Sequence, residues 1–250
     1  MQFVRFKKDD AVSYGEINGQ IIDRIEGDIF GEYKVTDESF SFSDIKILTP
    51  CLPTKIVCIG LNYKAHAAEV GLELPEEPLI FLKPLTAALK HGGEIILPKM
   101  SKQVDYEAEV ALVIGKIASN IEPEEAKEYI FGVTCLNDVT ARDLQKKDCQ
   151  WTRAKSFDTF SPLGPRISTG IDYDNLDIEL IHNGVTKQKS NTSDFIFNSS
   201  EIVSFVSKVM TLLPGDIIAT GTPFGIGPVK SGDTIEVKVE SVGVLMNTVR

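Results

Sequence analysis

The sequence predicts a mainly β protein of the α+β class, with short helices and a small β-rich segment at its N-terminal end. Three observations carry this. Short β-branched runs such as Thr234-Ile235-Glu236-Val237-Lys238-Val239-Glu240 alternate with period two, as half-buried strands do. Asn18-Gly19 and Asn183-Gly184 each sit between apolar runs, the strongest short hairpin signal. Strands outnumber helices and follow no regular alternation with them, which argues against a βαβ nucleotide-binding fold.

Residues 1–50 are expected to form a small β-rich domain, and residues 51–250 the main one. Phe3–Phe6 and Val12–Gly15 predict strands, and Gly15–Ile22 a hairpin around Asn18-Gly19. The polar stretch Asp23–Asp44 predicts surface loop with one or two short elements. Pro50 and Pro53 mark the boundary. Lys55–Gly60 predicts a buried strand, and Leu61–Gly71 a helix that puts His66 and Glu69, three apart, on one face. Leu79–Pro84 is an apolar strand that ends in a lysine. Pro123 and the acidic run after it predict a short helix to Ile130, and Gly132–Asn137 a further strand. Asp138 stands where it would cap a helix over Val139–Gln145. Trp151–Phe157 predicts loop or strand carrying Lys155, and Ser161–Pro165 a turn. Leu176–Ile181 and Val185–Lys187 predict a hairpin, Ser199 and Ser200 the cap of a helix with an apolar stripe, and Ile217–Thr220 a strand into the glycine-rich Gly221–Pro228.

At 250 residues and 42% hydrophobic, the chain has the make-up of an ordinary globular protein. A formal charge of −10 argues against nucleic acid or anionic membrane as a main partner. The start of the chain lacks a signal-peptide pattern, and no run of about 18 apolar residues occurs, so the cytoplasm is the expected location. Cys51, Cys58, Cys135 and Cys149 lack the spacing of a zinc site or a disulfide framework.

The stretch Val104–Ile114 carries the chemistry. On a strand, Asp105, Glu107 and Glu109 share one face, with neighbours roughly 6–7 Å apart at a rise of about 3.3 Å per residue. Carboxylates that close, beside an apolar run, stay ionised only with a cation or strong donors among them. A hard divalent ion such as Mg²⁺ or Mn²⁺ suits an all-oxygen site, while a strand entering from solvent with wet acids is the bland alternative. Asp138 can likewise cap a helix or turn to a metal. His66 and Glu69 can form a general base with its orienting carboxylate, or a solvated pair on a mobile helix. The loop after Thr220 lacks a Walker A pattern, yet its glycines and Thr222 can present N–H groups to a carboxylate, or simply form a tight turn. His91 and His182, in turn-like sequence, are expected at the surface.

Tyr106-Glu107-Ala108-Glu109, Asn137–Asp143, Trp151–Asp158 and Thr220–Pro223 resemble the fumarylacetoacetate hydrolase family in order and spacing, and Gly60–Tyr63 with His66 and Glu69 resembles its lid helix. The likeness runs from about residue 54 to the C-terminus, and residues 1–50 resemble the N-terminal extension of bacterial and archaeal members. The resemblance implies a mixed β-sandwich roll, a homodimer, and Mg²⁺ or Mn²⁺ held by Glu107, Glu109 and Asp138. It implies His66 and Glu69 closing over substrate, Lys155 beside the metal, and Arg142, Gln145, Gly221 and Thr222 binding substrate oxygens. Asp105 is no ligand by this analogy. The implied substrate is a small keto acid that chelates the metal, and the implied reaction passes through an enolate stabilised by the metal and Lys155. Hydrolysis of acylpyruvates, decarboxylation or tautomerisation of oxaloacetate, and isomerisation of 2-hydroxyhepta-2,4-diene-1,7-dioate all share that enolate. In hydrolysis His66 activates water; in the others the lid excludes solvent or moves a proton. A non-catalytic protein with a structural ion is the competing reading, and it would need neither lid nor Lys155.

Overall fold

The protein was examined as a computed structural model that describes residues 1–71 and 73–250. Among the described residues the strands form three sheets. The largest runs, in spatial order, through Tyr33–Ser41, Ile21–Gly27, Ala11–Asn18, Gln2–Lys8, Ser161–Ser168, Ile130–Asn137, Ala108–Ile114, Ile217–Ala219, Ile56–Ile59 and Ile80–Lys83. A second sheet holds Val185–Asn191, Asp177–His182, Thr234–Val239, Gly243–Val249 and Glu94–Ile95. A small third sheet pairs Val104–Tyr106 with Thr140–Ala141 on one side and Gly227–Pro228 on the other.

The strand Ala108–Ile114 explains the architecture. It is buried along its whole length. Its even-numbered residues Val110, Leu112 and Ile114 pack with Ile178, Leu180, Val237 and the helix residues Ile202, Val203 and Val206, between the two larger sheets. Its odd-numbered residues Ala111 and Val113 pack on the other face with Phe3, Ile25 and Ile29 from the first thirty residues. A strand buried on both faces reads as a continuous apolar run, not an alternating one. The N-terminal strands therefore cover one face of the central sheet, and Gln2–Lys8 pairs with Ser161–Ser168 within it.

The mainly β class is as predicted, and both Asn-Gly hairpins form. Several local expectations are corrected. Part of the predicted loop after Asp23 is strand: Ile21–Gly27 is joined by the nine-residue Tyr33–Ser41, a mostly polar strand at the sheet's edge that packs Tyr33 and Phe40 against the core. The helix before Ile130 shrinks to one 3₁₀ turn, Ala126–Tyr129. Asp138 caps nothing: its N–H bonds the Glu107 carbonyl at 2.8 Å, Thr140–Ala141 is strand, and the helix starts later, at Arg142–Lys147. Lys155 ends a short helix, Thr152–Lys155, and lies in neither loop nor strand. Ser161–Pro165 belongs to a buried strand, not a turn. Asn198, with Glu201 in a capping box, starts the Ser199–Val209 helix in place of the serines.

His91 and His182 are half-buried, each with part of its surface in solvent. His182 Nε2 bonds Asp233 Oδ2 at 2.8 Å and its ring meets Tyr106 edge-on. His91 Nδ1 accepts from the Met246 N–H at 3.1 Å. Among the described residues no helix is long and apolar enough to cross a membrane.

Candidate metal and active site

The straight strand expected over 104–114 is broken at Glu107, and that break builds the site. Val104–Tyr106 leaves for the small sheet while Ala108–Ile114 stays in the large one. Asn137, at the end of the neighbouring strand, accepts from the Glu107 N–H through its Oδ1 at 2.9 Å. The Glu107 carbonyl in turn takes the Asp138 N–H. Residues thirty apart in sequence thus lock together at adjacent strand ends. Oxygens of Glu107, Glu109 and Asp138 come within 4.8 Å of one another, and all three residues are buried.

Asp105 turns away from this cluster. Its carboxylate accepts from Arg142 Nε at 2.8 Å and from Gln103 Nε2 at 3.0 Å. Arg142 also donates to Glu107 Oε1 through Nη2 and to Gln145 Oε1 through Nη1, the latter at 2.5 Å. Lys155 Nζ bridges Glu107 Oε2 at 2.8 Å and Asp138 Oδ2 at 2.5 Å, over the Phe81 ring at 5.0 Å. Among the described residues Glu109 receives only the Gly221 N–H, at 2.9 Å. Gly221 has φ +93° and a Cβ there would stand 2.9 Å from Asn62 Cβ, so glycine is required for this approach.

The helix Lys64–Val70 is tied to the same loop. Asn62 donates to the Thr220 carbonyl at 2.9 Å, and Glu69 Oε1 accepts the Gly225 N–H at 3.0 Å. Glu69 Oε2 lies 2.8 Å from His66 Nδ1, the pairing their spacing predicts. The glycine N–H groups of the loop do meet carboxylates, and both belong to the protein. Thr222 is buried and its Oγ1 accepts from Gln188 Nε2 at 2.9 Å. The predicted residues thus fall into one cluster (Glu107, Glu109, Asp138, Lys155, Arg142, Gln145), with Gly221, Thr222, His66 and Glu69 linked to it through the loop.

Sequence reasoning missed Lys83, whose side chain is fully buried and whose ammonium donates to Asp138 Oδ1. A lysine at the end of an apolar strand was the available signal, since lysine is almost never fully buried without a partner. It also missed Gln188, which braces Ala108 N–H and Thr222.

Charge decides what the site can hold. Four carboxylates (Asp105, Glu107, Glu109, Asp138) face three cations (Lys83, Arg142, Lys155), so one negative charge is left over. Burial alone would raise the Glu107 carboxyl, but Lys155 and Arg142 outweigh it and hold it at about 2. Glu109 goes the other way: burial, then the charges of Asp138 and Glu107, push it well above the usual carboxylate range. Burial would lower the Lys155 ammonium, yet Asp138 and Glu107 raise it above its ordinary value. The donor set fits a hard divalent cation: three oxygen ligands, one of them without a counter-charge among the described residues. The Tyr63 hydroxyl is also buried without a hydrogen-bond partner among the described residues.

The structure is a mainly β fold with a buried cluster of three carboxylates, beside a lysine, that could hold a cation. Residues 55–250 match the family described as fumarylacetoacetate (FAA) hydrolase C-terminal, and residues 1–50 match Rv2993c-like, N-terminal. The chain belongs to the fumarylacetoacetate hydrolase family. It is 42% identical over 220 residues to a mitochondrial oxaloacetate tautomerase of Bos taurus, covering 83% of this chain and 70% of that one. The solved 2-hydroxyhepta-2,4-diene-1,7-dioate isomerase of Mycobacterium marinum superposes with a TM-score of 0.93 at 40% identity, covering 100% of this chain and 98% of the other. A maleylpyruvate hydrolase from Sphingobium does so with a TM-score of 0.84 at 30% identity, covering 100% and 99%.

Proposed function

We propose that the protein is a divalent-metal-dependent enzyme that acts on small β-keto or diketo acids through an enolate. The reaction is hydrolysis of acylpyruvates or decarboxylation or tautomerisation of oxaloacetate, and Mg²⁺ or Mn²⁺ is the cofactor. The observation that carries this reading is the uncompensated Glu109 within a buried carboxylate cluster that already holds an ammonium. Isomerisation of 2-hydroxyhepta-2,4-diene-1,7-dioate is the second reading, favoured by the name of the M. marinum relative.

Glu107, Glu109 and Asp138 would hold the ion. When bound, it supplies a Lewis acid that polarises the keto and carboxylate oxygens of the substrate. Lys155, freed from one or both of its carboxylates, offers N–H groups to the developing oxyanion. Arg142, Gln145, Gly221 and Thr222 are assigned to substrate oxygens, Arg142 exchanging part of its present bonds and Gly221 its bond to Glu109 to do so. His66 Nδ1 is held by Glu69, so Nε2 is the atom that takes a proton from water in hydrolysis. The Lys64–Val70 helix then excludes solvent.

A panel of oxaloacetate, acetylpyruvate, fumarylpyruvate and ring-cleavage dienes, assayed with Mg²⁺ and then Mn²⁺, tests this. Turnover of at least one that stops when metal is stripped is expected; failure of the whole panel with both metals would overturn it. His66→Ala should cost hydrolysis about 10²–10⁴-fold, the usual worth of a general base, and decarboxylation far less. Equal losses in both would contradict the role given to His66.

A homodimer is part of the proposal. Ile80–Lys83 ends the large sheet, with Leu79, Leu82 and Leu85 exposed beside a groove of about 980 Å³ that reaches Trp151. Light scattering on the purified protein should give twice the chain mass, 55 kDa from two chains of 27.5 kDa.

A further inference from the structure

The two lysines that touch Asp138 are built differently. Lys155 spends its hydrogen bonds on Glu107 and Asp138, both members of the proposed metal cluster. Lys83 donates to Asp138 Oδ1 and also to two backbone carbonyls, Phe160 O at 2.6 Å and Val139 O at 3.2 Å. An ammonium has three N–H donors, so Lys83 has none to spare for a substrate. Its side chain has no solvent exposure. A divalent ion entering the cluster competes with Lys155 for each of its partners. It competes with Lys83 for none of the carbonyls.

The strand Ile80–Lys83 supplies both supports. Phe81 and Lys83, two apart, share one face. Phe81 lies under the Lys155 ammonium and edge-on to Trp151, the residue before the helix that carries Lys155. Lys83 reaches past them to the far oxygen of Asp138.

We propose that Lys83 is a positioning residue: it fixes Asp138 through Oδ1, so that Oδ2 stays presented to the cluster when a cation replaces the Lys155 contact. Lys155 is the exchangeable cation and Lys83 the permanent one. This rests on the metal site proposed above. The alternative, that Lys83–Asp138 only stabilises the fold, has an internal control. Lys55 and Asp216 form an ion pair outside the site in which the acid is equally buried and the lysine partly exposed.

The test is calorimetric titration of Mn²⁺ into metal-free wild type, Lys83→Met and Lys55→Met. Removing a partner that orients a metal ligand typically weakens binding 10–100-fold, and that is the loss expected for Lys83→Met. Lys55→Met, destabilised by its own broken pair, should bind within about twofold of wild type. Equal affinity in folded Lys83→Met, or an equal loss in Lys55→Met, overturns the assignment. Should Lys83→Met not fold, the ¹⁵N-labelled lysine ammonium signals of wild type decide. On adding Mg²⁺ the Lys155 signal, identified by its absence in Lys155→Met, should move while that of Lys83 stays; a Lys83 signal that moves as far overturns the proposal. A wild type that binds neither ion overturns the metal site itself, which distinguishes that failure from this one.

Discussion

Asp216 and Glu109 are both buried acids at the ends of the same pair of strands, and their surroundings are opposites. Asp216 Oδ1 accepts from Thr54 N–H at 2.8 Å, Thr54 Oγ1 at 2.6 Å and Lys55 N–H at 3.1 Å. Its Oδ2 accepts from the Leu213 N–H at 2.8 Å and from the Lys55 ammonium. Five donors, one of them a full charge, hold its carboxyl below the usual range even though burial works against this. Among the described residues Glu109 accepts one N–H, and the negative charges of Asp138 and Glu107 outweigh the Lys155 ammonium near it. A buried acid with all its bonds made is part of the architecture. One left short of a counter-charge costs stability.

Glu109→Gln should sharpen the contrast most. Without the third carboxylate the cluster should lose Mn²⁺ affinity by more than the 10–100-fold typical of outer partners, and turnover should vanish with it. Calorimetry and the keto-acid panel check both, and retention of affinity within tenfold would remove Glu109 from the ligand set. Asp216→Ala should do the reverse. Breaking a buried pair on one side costs about 3–5 kcal/mol, so thermal unfolding should fall by roughly 10 °C. Metal affinity of the folded protein should hold. A parallel loss of affinity would show that the two acids are not independent.

The same contrast separates what could be read in the sequence from what could not. Strands with one wet face or two dry ones announce themselves, as Thr234–Val239 and Ala108–Ile114 do. Tyr33–Ser41 is mostly polar and exposed, with Tyr33 and Phe40 half-buried against the core, and it owes its strand state to the neighbour it pairs with, Ile21–Gly27. Ser161–Ser168 contains Pro162, Gly164 and Pro165, which signal a turn; its register against Ile130–Asn137 slips between Val133 and Cys135, beside the residues that disrupt regular pairing. At the site, spacing alone puts His66 beside Glu69, a local relation. Glu107 beside Asp138 is a long-range one, and it depends on a break in the strand that no periodicity encodes. The order of motifs, through family resemblance, points to Asp138 where local rules favour a helix cap. Lys83 lies outside those motifs, and only the fold puts its ammonium on Asp138.

The smallest expected effect is the one that tests the contrast on the metal-free protein alone. Glu109 has a folded-state pKa above its ordinary value of 4.5, so the unfolded chain releases this proton first. Stability must then fall as pH rises above 4.5, by at most about 1.4 kcal/mol per pH unit for one proton. Glu107, held at about 2, and Asp216, held below 3.8, have the opposite sign. Their contributions are complete above their unfolded values and are lost only as pH drops through the folded ones. His91, whose imidazole burial and Lys90 depress below 6.5, adds a rise in stability with pH near that value, so the wild-type curve alone is a sum. The difference between wild type and Glu109→Gln isolates the term. Metal-free Glu109→Gln should be the more stable of the two by about 1–2 kcal/mol at pH 7, the cost of a buried group without its partner. The gap should close towards pH 4.5. A gap that does not change with pH would mean that Glu109 already has its counter-charge, and that the cluster has no place left for a cation.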